Sequence, residues 1–322
     1  MTILVIGGAG YIGSHTVQAL LDQNHEVIII DNFSTGYQDL VLSQTVYTMD
    51  IRDKDSLNKV FTNHTIDAVM HFAANSLVGE SMKEPLSYYD NNVYGMQCLL
   101  EVMKNHHVKT IVFSSTAAVY GEPDAIPIIE DSLTKPTNPY GETKLTMENM
   151  MHWFEQAYGI HYVSLRYFNA AGAHPKAHIG EKHNPETHLI PLVLDVALGK
   201  RENISIFGNN YPTKDGTCIR DYIHVMDLAD AHLKALELLI NTHQSHIFNL
   251  GNGKGYSVLD VIQTARVVTN HPIPTTIEER RIGDPATLVA SSEKAHSVLK
   301  WFPRYNLKTI IEDAWRFHQK RT

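Results

Sequence analysis

The chain has 322 residues, 43% of them hydrophobic and 19% charged, which is long for one hydrophobic core and predicts two cooperating domains. Lysine plus arginine number 27 against 35 aspartate plus glutamate, a net charge of −8 that suits the chain poorly to clamping nucleic-acid phosphates. Two cysteines exclude a disulfide scaffold and a cysteine-built zinc centre, and no apolar run reaches the ~20 residues of a membrane span. The opening run Ile3-Leu4-Val5-Ile6 reads as a strand rather than a leader peptide. The expectation is a cytoplasmic protein with neither a membrane nor a nucleic-acid partner.

Short apolar runs follow one another in the first half: Ile3–Ile6, Val27–Ile30, Val46–Met49, Ala68–Phe72 and Thr110–Phe113. Runs this apolar suit strands covered on both faces. Helical stretches lie between and after them, at Ile12–Gln23, Lys54–Asn63, Asn91–His106 and Tyr140–Tyr158. Such alternation predicts an α/β fold, a doubly wound parallel sheet of the Rossmann type. Beyond residue 170 the texture changes. Ala171–Thr187, with its glycines, prolines and histidines, reads as a long ordered loop. Helices are expected at Leu189–Leu198, Met226–Ile240, Ser257–Val268, Ser291–Leu299 and Leu307–Gln319. The division expected is 1–170 for the Rossmann domain and 171–322 for a smaller, tightly packed α/β substrate domain, with a soft boundary and some segments returning to the first domain.

Gly7, Gly10 and Gly13 form G-x-x-G-x-x-G after the first strand and at the start of a helix, where backbone can approach a pyrophosphate at the helix N-terminus. The second strand ends at Asp31, whose carboxylate can take both hydroxyls of an adenosine ribose and disfavours a 2′-phosphate. NAD is the cofactor this pattern predicts. Tyr140 and Lys144 stand at i and i+4, on one helix face. A phenol acting as base near neutral pH needs a shift of ~3 units, or ~4 kcal/mol. A lysine charge ~5 Å away at an effective dielectric of ~20 supplies roughly 3.3 kcal/mol, and oxidised NAD adds to it. The strand Ile111–Phe113 ends in Ser114-Ser115-Thr116, at the edge of a parallel sheet where ligands sit. A hydroxyl, a tuned tyrosine and a lysine beside a dinucleotide are the apparatus for proton removal with hydride transfer.

With Gly7-Gly8-Ala9-Gly10-Tyr11-Ile12-Gly13-Ser14-His15, Asp31-Asn32, Asp50-Ile51-Arg52, His71-Phe72-Ala73, Tyr88-Tyr89-Asp90-Asn91-Asn92-Val93, Tyr140-x-x-x-Lys144 and Arg166-Tyr167-Phe168-Asn169, the chain resembles the UDP-glucose (UDP-galactose) 4-epimerase family of the extended short-chain dehydrogenase/reductase group. Ala171-Gly172-Ala173-His174-Pro175, Ile206-Phe207-Gly208, Arg220-Asp221-Tyr222-Ile223-His224-Val225 and Gly283-Asp284 carry the likeness to the far end. The resemblance implies inversion at C4 of a UDP-sugar through a 4-keto sugar, with the hydride parked on tightly held NAD. It assigns catalysis to Tyr140, Lys144 and Thr116. For NAD it implies Gly7, Gly10, Tyr11, Ile12, Gly13, Asp31, Asn32, Asp50, Ile51, Phe72, Ala73, Ala74, Asn91, Ser114, Tyr140, Lys144 and Phe168. For the UDP-sugar it implies Thr116, Asn169, Leu189, Phe207, Arg220, Arg281, Asp284 and Leu288. Within that set Asn169, Arg220 and Arg281 go to the pyrophosphate, Phe207 to the uracil and Asp284 to the uridine ribose.

The chain departs from the family pattern at four places. Thr116 replaces a frequent serine and keeps the hydroxyl, Ser76 stands where some members have lysine, and His188 stands where others have asparagine. Leu288 occupies a pocket-wall position that is tyrosine in some members and leaves room for a 2-acetamido group, so activity on UDP-N-acetylglucosamine is a further expectation. Two rival readings are a nucleotide-sugar 4,6-dehydratase and a catalytically silent NAD-binding sensor. The dehydratase needs an acid and a base after the threonine, where this chain has Ala117-Ala118. The 19 histidines, His174, His178, His183 and His188 among them, are expected to be solvated or hydrogen-bonded rather than metal ligands. Apolar residues on more than one face of the helices at 91–106 and 140–158 (Val93, Met96, Leu99, Leu100, Met103; Met147, Met150, Met151, Trp153, Phe154) fit a wider core or a partner helix. The resemblance implies the latter, a homodimer through a four-helix bundle.

Overall fold

The computed structural model describes residues 1–281 and 284–321; Gly283 of the Gly283-Asp284 pair lies outside them. Successive residues of a strand face opposite ways, and in Thr2–Ile6 the result is that Ile3 and Val5 enter one core while Leu4 and Ile6 enter another. Only a sheet covered on both faces accommodates that pattern. Seven strands form it, all parallel, in the spatial order His246–Leu250, His161–Tyr167, Thr110–Thr116, Ala68–His71, Thr2–Ile6, Glu26–Asp31, Thr45–Thr48. Helices Tyr11–Asp22 and Val225–Thr242 cover one face. Helices Lys54–Asn63, Gly95–Asn105 and Pro139–Tyr158 cover the other. Each fully buried Ile, Leu or Val contributes about 1.5–3 kcal/mol. The architecture is a Rossmann-like doubly wound sheet.

Local chemistry sets the helix starts. Asp53, Asn138 and Asn306 each accept a backbone N–H from the residue three places on, and Ser257 forms a reciprocal box with Asp260. A third core lies between helices Leu189–Ala197, Val258–Thr269 and Leu307–Lys320 in the smaller lobe. Short strand pairs extend that lobe: Asn169–Ala171 beside Tyr222–His224, Ile204–Phe207 beside Thr275–Glu278, and Ile219–Arg220 between Tyr256–Ser257 and Thr287–Leu288. The strand His246–Leu250 and the helix before it return to the large sheet, so the lobes are not consecutive in sequence.

Three expected elements differ. The strand expected to end at Phe113 continues to Thr116, because Ser114, Ser115 and Thr116 pair with Leu165, Arg166 and Tyr167 of the neighbouring strand. The helix expected from Asn91 is a π-helical turn, Tyr89–Tyr94, running into an α-helix from Gly95; buried Asn92 is bonded sideways within that turn. The helix expected over Ser291–Leu299 shrinks to a turn at Ala295–Leu299. The Ser292 hydroxyl is tied to both the N–H and the carbonyl of Gly251, and Lys300 ends the turn at φ +53°.

Candidate active site

The sheet order reverses between Thr2–Ile6 and Ala68–His71, which opens a crevice at their carboxyl ends. Gly7 sits there at φ +82°, and a Cβ on it would stand 2.6 Å from the Ala73 nitrogen. A Cβ on Gly13 would stand 2.1 Å from the Gly7 carbonyl. Both glycines are demanded by the chain itself. Gly10 is different: a Cβ there meets only Gly7 O, at 3.3 Å, so the space before it is left for something outside the protein. No side chain caps the helix that starts at Tyr11, and its free amides and dipole form a seat for an anion. Ile12 and Gly13 lie in that first turn, while the Tyr11 hydroxyl is committed elsewhere, donating to Gly172 O at 2.7 Å.

Asp31 is fixed from within the chain. Its two oxygens accept from the Ala9 and Phe33 amides at 2.9 Å each; burial pushes its carboxyl up and those amides pull it back. A cleft is lined by Asp31, Asn32, Ile51, Ala73, Ala74 and Asn91 among others. Asn32 donates to Asp50 at 3.1 Å, and Asp50 is held well below the usual carboxylate range by Arg52. Phe72 packs its ring 4.7 Å from His232, behind the cleft. Open backbone at Gly10, an uncapped helix and a carboxylate at the end of the second strand fit a dinucleotide.

At the edge of the sheet Thr116, Tyr140 and Lys144 come together. Gly141 is what lets them meet: a Cβ on it would stand 2.6 Å from Ala118 O, in the turn after Thr116. The Tyr140 phenol lies by the Thr116 hydroxyl; burial pushes the phenol up, and that hydroxyl draws it back. Lys144 Nζ donates to Ser114 O at 2.8 Å and lies 4.8 Å from the centre of the Phe113 ring. Burial brings this ammonium down to about 7, opposed by Glu148. The lysine that was expected to tune the phenol is thus itself only partly protonated near neutral pH.

Two supports escaped the sequence reading. Asn92 is 1% exposed and spans the site: its Nδ2 donates to Asn75 O and Thr143 Oγ1, its Oδ1 accepts from Asn75 N and Asn91 Nδ2. It ties the Ala73–Asn75 wall to the helix that carries Tyr140. Glu148, one turn beyond Lys144, accepts from Ser115 Oγ at 2.5 Å and takes the Arg166 guanidinium on both oxygens at 3.0 and 2.6 Å. That pair, with Tyr120 and Asn249 attached, pins the strand end bearing Ser114 and Thr116. The adjacent asparagines Asn91 and Asn92 were the one signal for Asn92.

On the other wall the expected substrate residues fall into pairs. Arg220 donates to Asp284 Oδ1 at 3.0 Å and to the Ile219 and Pro285 carbonyls. Arg281 lies 3.9 Å over the Phe207 ring, on a face expected to be free for a base. Leu288 stands opposite Arg220 in the strand pairing and, like Phe168, packs against the cluster of Ala117, Val119, Tyr120 and Ile128 that follows Thr116. Asn169 is half-buried, its amide bonded to Asp221 O, and Leu189 opens the helix Leu189–Ala197 on the third core. The four loop histidines separate: His174 and His178 meet edge to face, while His183 and His188 join Glu181 and Glu186.

The model of the NAD dependent epimerase/dehydratase family matches residues 3–251. The UDP-glucose 4-epimerase of Halalkalibacterium halodurans is 60% identical over 321 residues, 99% of this chain and 96% of that protein. A crystal structure of UDP-glucose 4-epimerase matches with TM-score 0.98 at 57% identity, covering 100% of this chain and 98% of the other. A structure of the Stenotrophomonas maltophila UDP-glucose-4-epimerase with bound NAD and formylated UDP-arabinopyranose matches with TM-score 0.97 at 40% identity, over 100% and 98% of the two chains. The chain belongs to the NAD dependent epimerase/dehydratase family.

Proposed function

We propose that this family member is a UDP-glucose 4-epimerase, interconverting UDP-glucose and UDP-galactose by inverting C4 through a 4-keto sugar. Its cofactor is NAD, and the reaction has no net redox change. The observation that carries the reading is the convergence of Thr116, Tyr140 and Lys144 next to the Gly7–Gly13 crevice. Bound NAD supplies the acceptor and donor for the C4 hydride and a positive charge near the phenol.

The chain's residues supply the rest. Tyr140 Oη takes the proton of the sugar 4-hydroxyl, and Thr116 steadies the phenolate with its hydroxyl. Lys144, held by Ser114 O one helical turn from Tyr140, is partly protonated near neutral pH, and in that form its ammonium favours the phenolate. Arg220, with Asn169 and Arg281, holds the pyrophosphate while the keto sugar turns, and a planar guanidinium suits those oxygens. Asp284 and Phe207 receive the uridine ribose and uracil. Leu288, between Arg220 and the Thr116 turn, faces the sugar; its modest bulk supports added activity on UDP-N-acetylglucosamine.

Of the apolar residues on the 91–106 and 140–158 helices, Met96, Leu99, Leu100, Met103, Met147 and Met151 are buried within the chain. Tyr94 and Trp153 remain exposed at 46% and 67%, which supports homodimer formation through these helices. Cys98 and Cys218 are both free and buried, in keeping with a cytoplasmic location.

The test is conversion of UDP-galactose by purified protein without added NAD, followed through the sugar anomeric NMR signals. Steady approach to a UDP-glucose mixture is expected. Conversion only after NAD is added would replace a resident cofactor by an exchangeable one, and no conversion in either case would sink the assignment.

A further inference from the structure

The loop between the lobes carries the spacing Glu181-x-His183-x-x-Glu186-x-His188, and it folds these four side chains onto one point. One ligand atom from each lies within 4.8 Å of all the others. Glu181 Oε1 stands 2.7 Å from His188 Nδ1 and 3.5 Å from His183 Nδ1. Glu186 Oε2 stands 3.4 Å from His183 Nδ1, and its Oε1 stands 3.5 Å from His188 Nδ1. A tetrahedron of ligands around a cation at 2.0–2.1 Å has edges of about 3.4 Å. The two edges that meet at His183 Nδ1, from Glu181 Oε1 and Glu186 Oε2, match that length, while the 2.7 Å Glu181–His188 edge would open on binding.

A second observation separates this cluster from ordinary ion pairing. Glu181 is 3% exposed, and its Oε1 accepts no hydrogen bond although two imidazole nitrogens face it. A close approach without hydrogen-bond alignment is what lone pairs aimed at a common centre produce, and an unpaired buried carboxylate oxygen is otherwise costly. The other carboxylate is oriented from behind: Glu186 Oε1 accepts from the Thr187 and His188 amides at 2.8 and 2.9 Å, leaving Oε2 turned toward His183. Such outer support is usual for metal ligands.

We propose that Glu181, His183, Glu186 and His188 bind a first-row divalent transition cation, zinc foremost, in a closed four-coordinate structural site. Two imidazoles and two carboxylates suit zinc better than calcium or magnesium, which favour all-oxygen shells. The site would join two parts of the fold. His183 packs edge-on against Tyr11, the first residue of the glycine-motif helix, with ring centres 6.3 Å apart. His188 is the residue before the helix Leu189–Ala197 of the smaller lobe. A cation there would clamp the second lobe to the first.

The test uses untagged full-length protein stripped with chelator, then titrated with zinc against a chromophoric competitor, with bound metal counted by mass spectrometry after gel filtration. Roughly one tightly retained equivalent is expected, with affinity falling at least about tenfold in His183→Gln/His188→Gln. In the unsubstituted protein, cobalt(II) should show the intense visible bands of tetrahedral coordination, which keeps the test decisive should the double variant not fold. Retention of much less than one equivalent, equal retention by a folded double variant, or an octahedral cobalt spectrum would overturn the proposal; the first result would leave the cluster a set of ion pairs.

Discussion

The two walls of the crevice are built by different rules. On the nucleotide-fold wall each polar group is fixed from within the chain: Asp31 by two backbone amides, Asn92 by both ends of its amide, Lys144 by Ser114 O. On the smaller-lobe wall the charged side chains answer one another, Arg220 with Asp284 and Arg281 with the Phe207 ring. The first wall is preorganised, while the second must exchange its own partners for a diphosphate. Substitutions on the first should therefore act on turnover, and those on the second on affinity.

The sharpest break in that comparison is Tyr140→Phe. It removes one hydroxyl from the preorganised wall, and kcat should fall by about 10³-fold or more with UDP affinity unchanged. Steady-state kinetics and UDP titration read both quantities. Undiminished kcat would return the chain to the silent NAD-binding reading.

Lys144 sharpens the comparison through pH. Burial lowers its ammonium to about 7, whereas in the unfolded chain it titrates near 10.4. Between those values the unfolded state binds the extra proton, so this group's contribution to stability rises with pH across that window. The stability of the wild-type chain relative to Lys144→Met should climb by up to about 4 kcal/mol from near pH 7 to near pH 10, read from urea unfolding at each pH. A flat difference would mean that the ammonium keeps its charge, and that this wall carries a resident cation.

How much of this could be read from sequence follows the same division. The glycine motif, Asp31, the Tyr140/Lys144 spacing and the hydroxyls at the strand end are local patterns, and local periodicity and turn chemistry place them. Asn92 reaches Thr143 across 51 residues, Glu148 holds Arg166 from 18 residues away, and Arg220 meets Asp284 across 64. Such contacts depend on which strands adjoin, and a single sequence does not display that. The strand His161–Tyr167 was missed because buried Ser164 and Arg166 break its apolar run; Arg166 is tolerated there only because Glu148 neutralises it. The loop histidines were read without the glutamates that fold among them.

Arg220→Gln tests the second wall. Losing charge-assisted bonds worth about 1.5–3 kcal/mol should weaken UDP binding roughly 10- to 100-fold, with kcat changed only a few-fold. Isothermal titration with UDP, set beside kcat, distinguishes this from a catalytic role. A fall in kcat with affinity preserved would place Arg220 with the preorganised group and erase the difference between the walls.

Leu288 sits where the two walls meet, opposite Arg220 and packed on the apolar cluster of Ala117, Val119, Tyr120 and Ile128. Because its contacts are apolar, a change there alters shape without touching charge on either side. Leu288→Tyr adds a ring to a position where a 2-acetamido group would otherwise lie. Losing that fit by one or two methylene equivalents is worth about 1–3 kcal/mol, so kcat/KM for UDP-N-acetylglucosamine should fall at least about tenfold. UDP-galactose, which carries a hydroxyl at that carbon, should keep its rate within about twofold, the smallest effect expected of any of these changes. Parallel assays of both sugars decide it: an equal loss on both would mean that the tyrosine disturbs the Thr116 turn through Tyr120 rather than filling the sugar pocket.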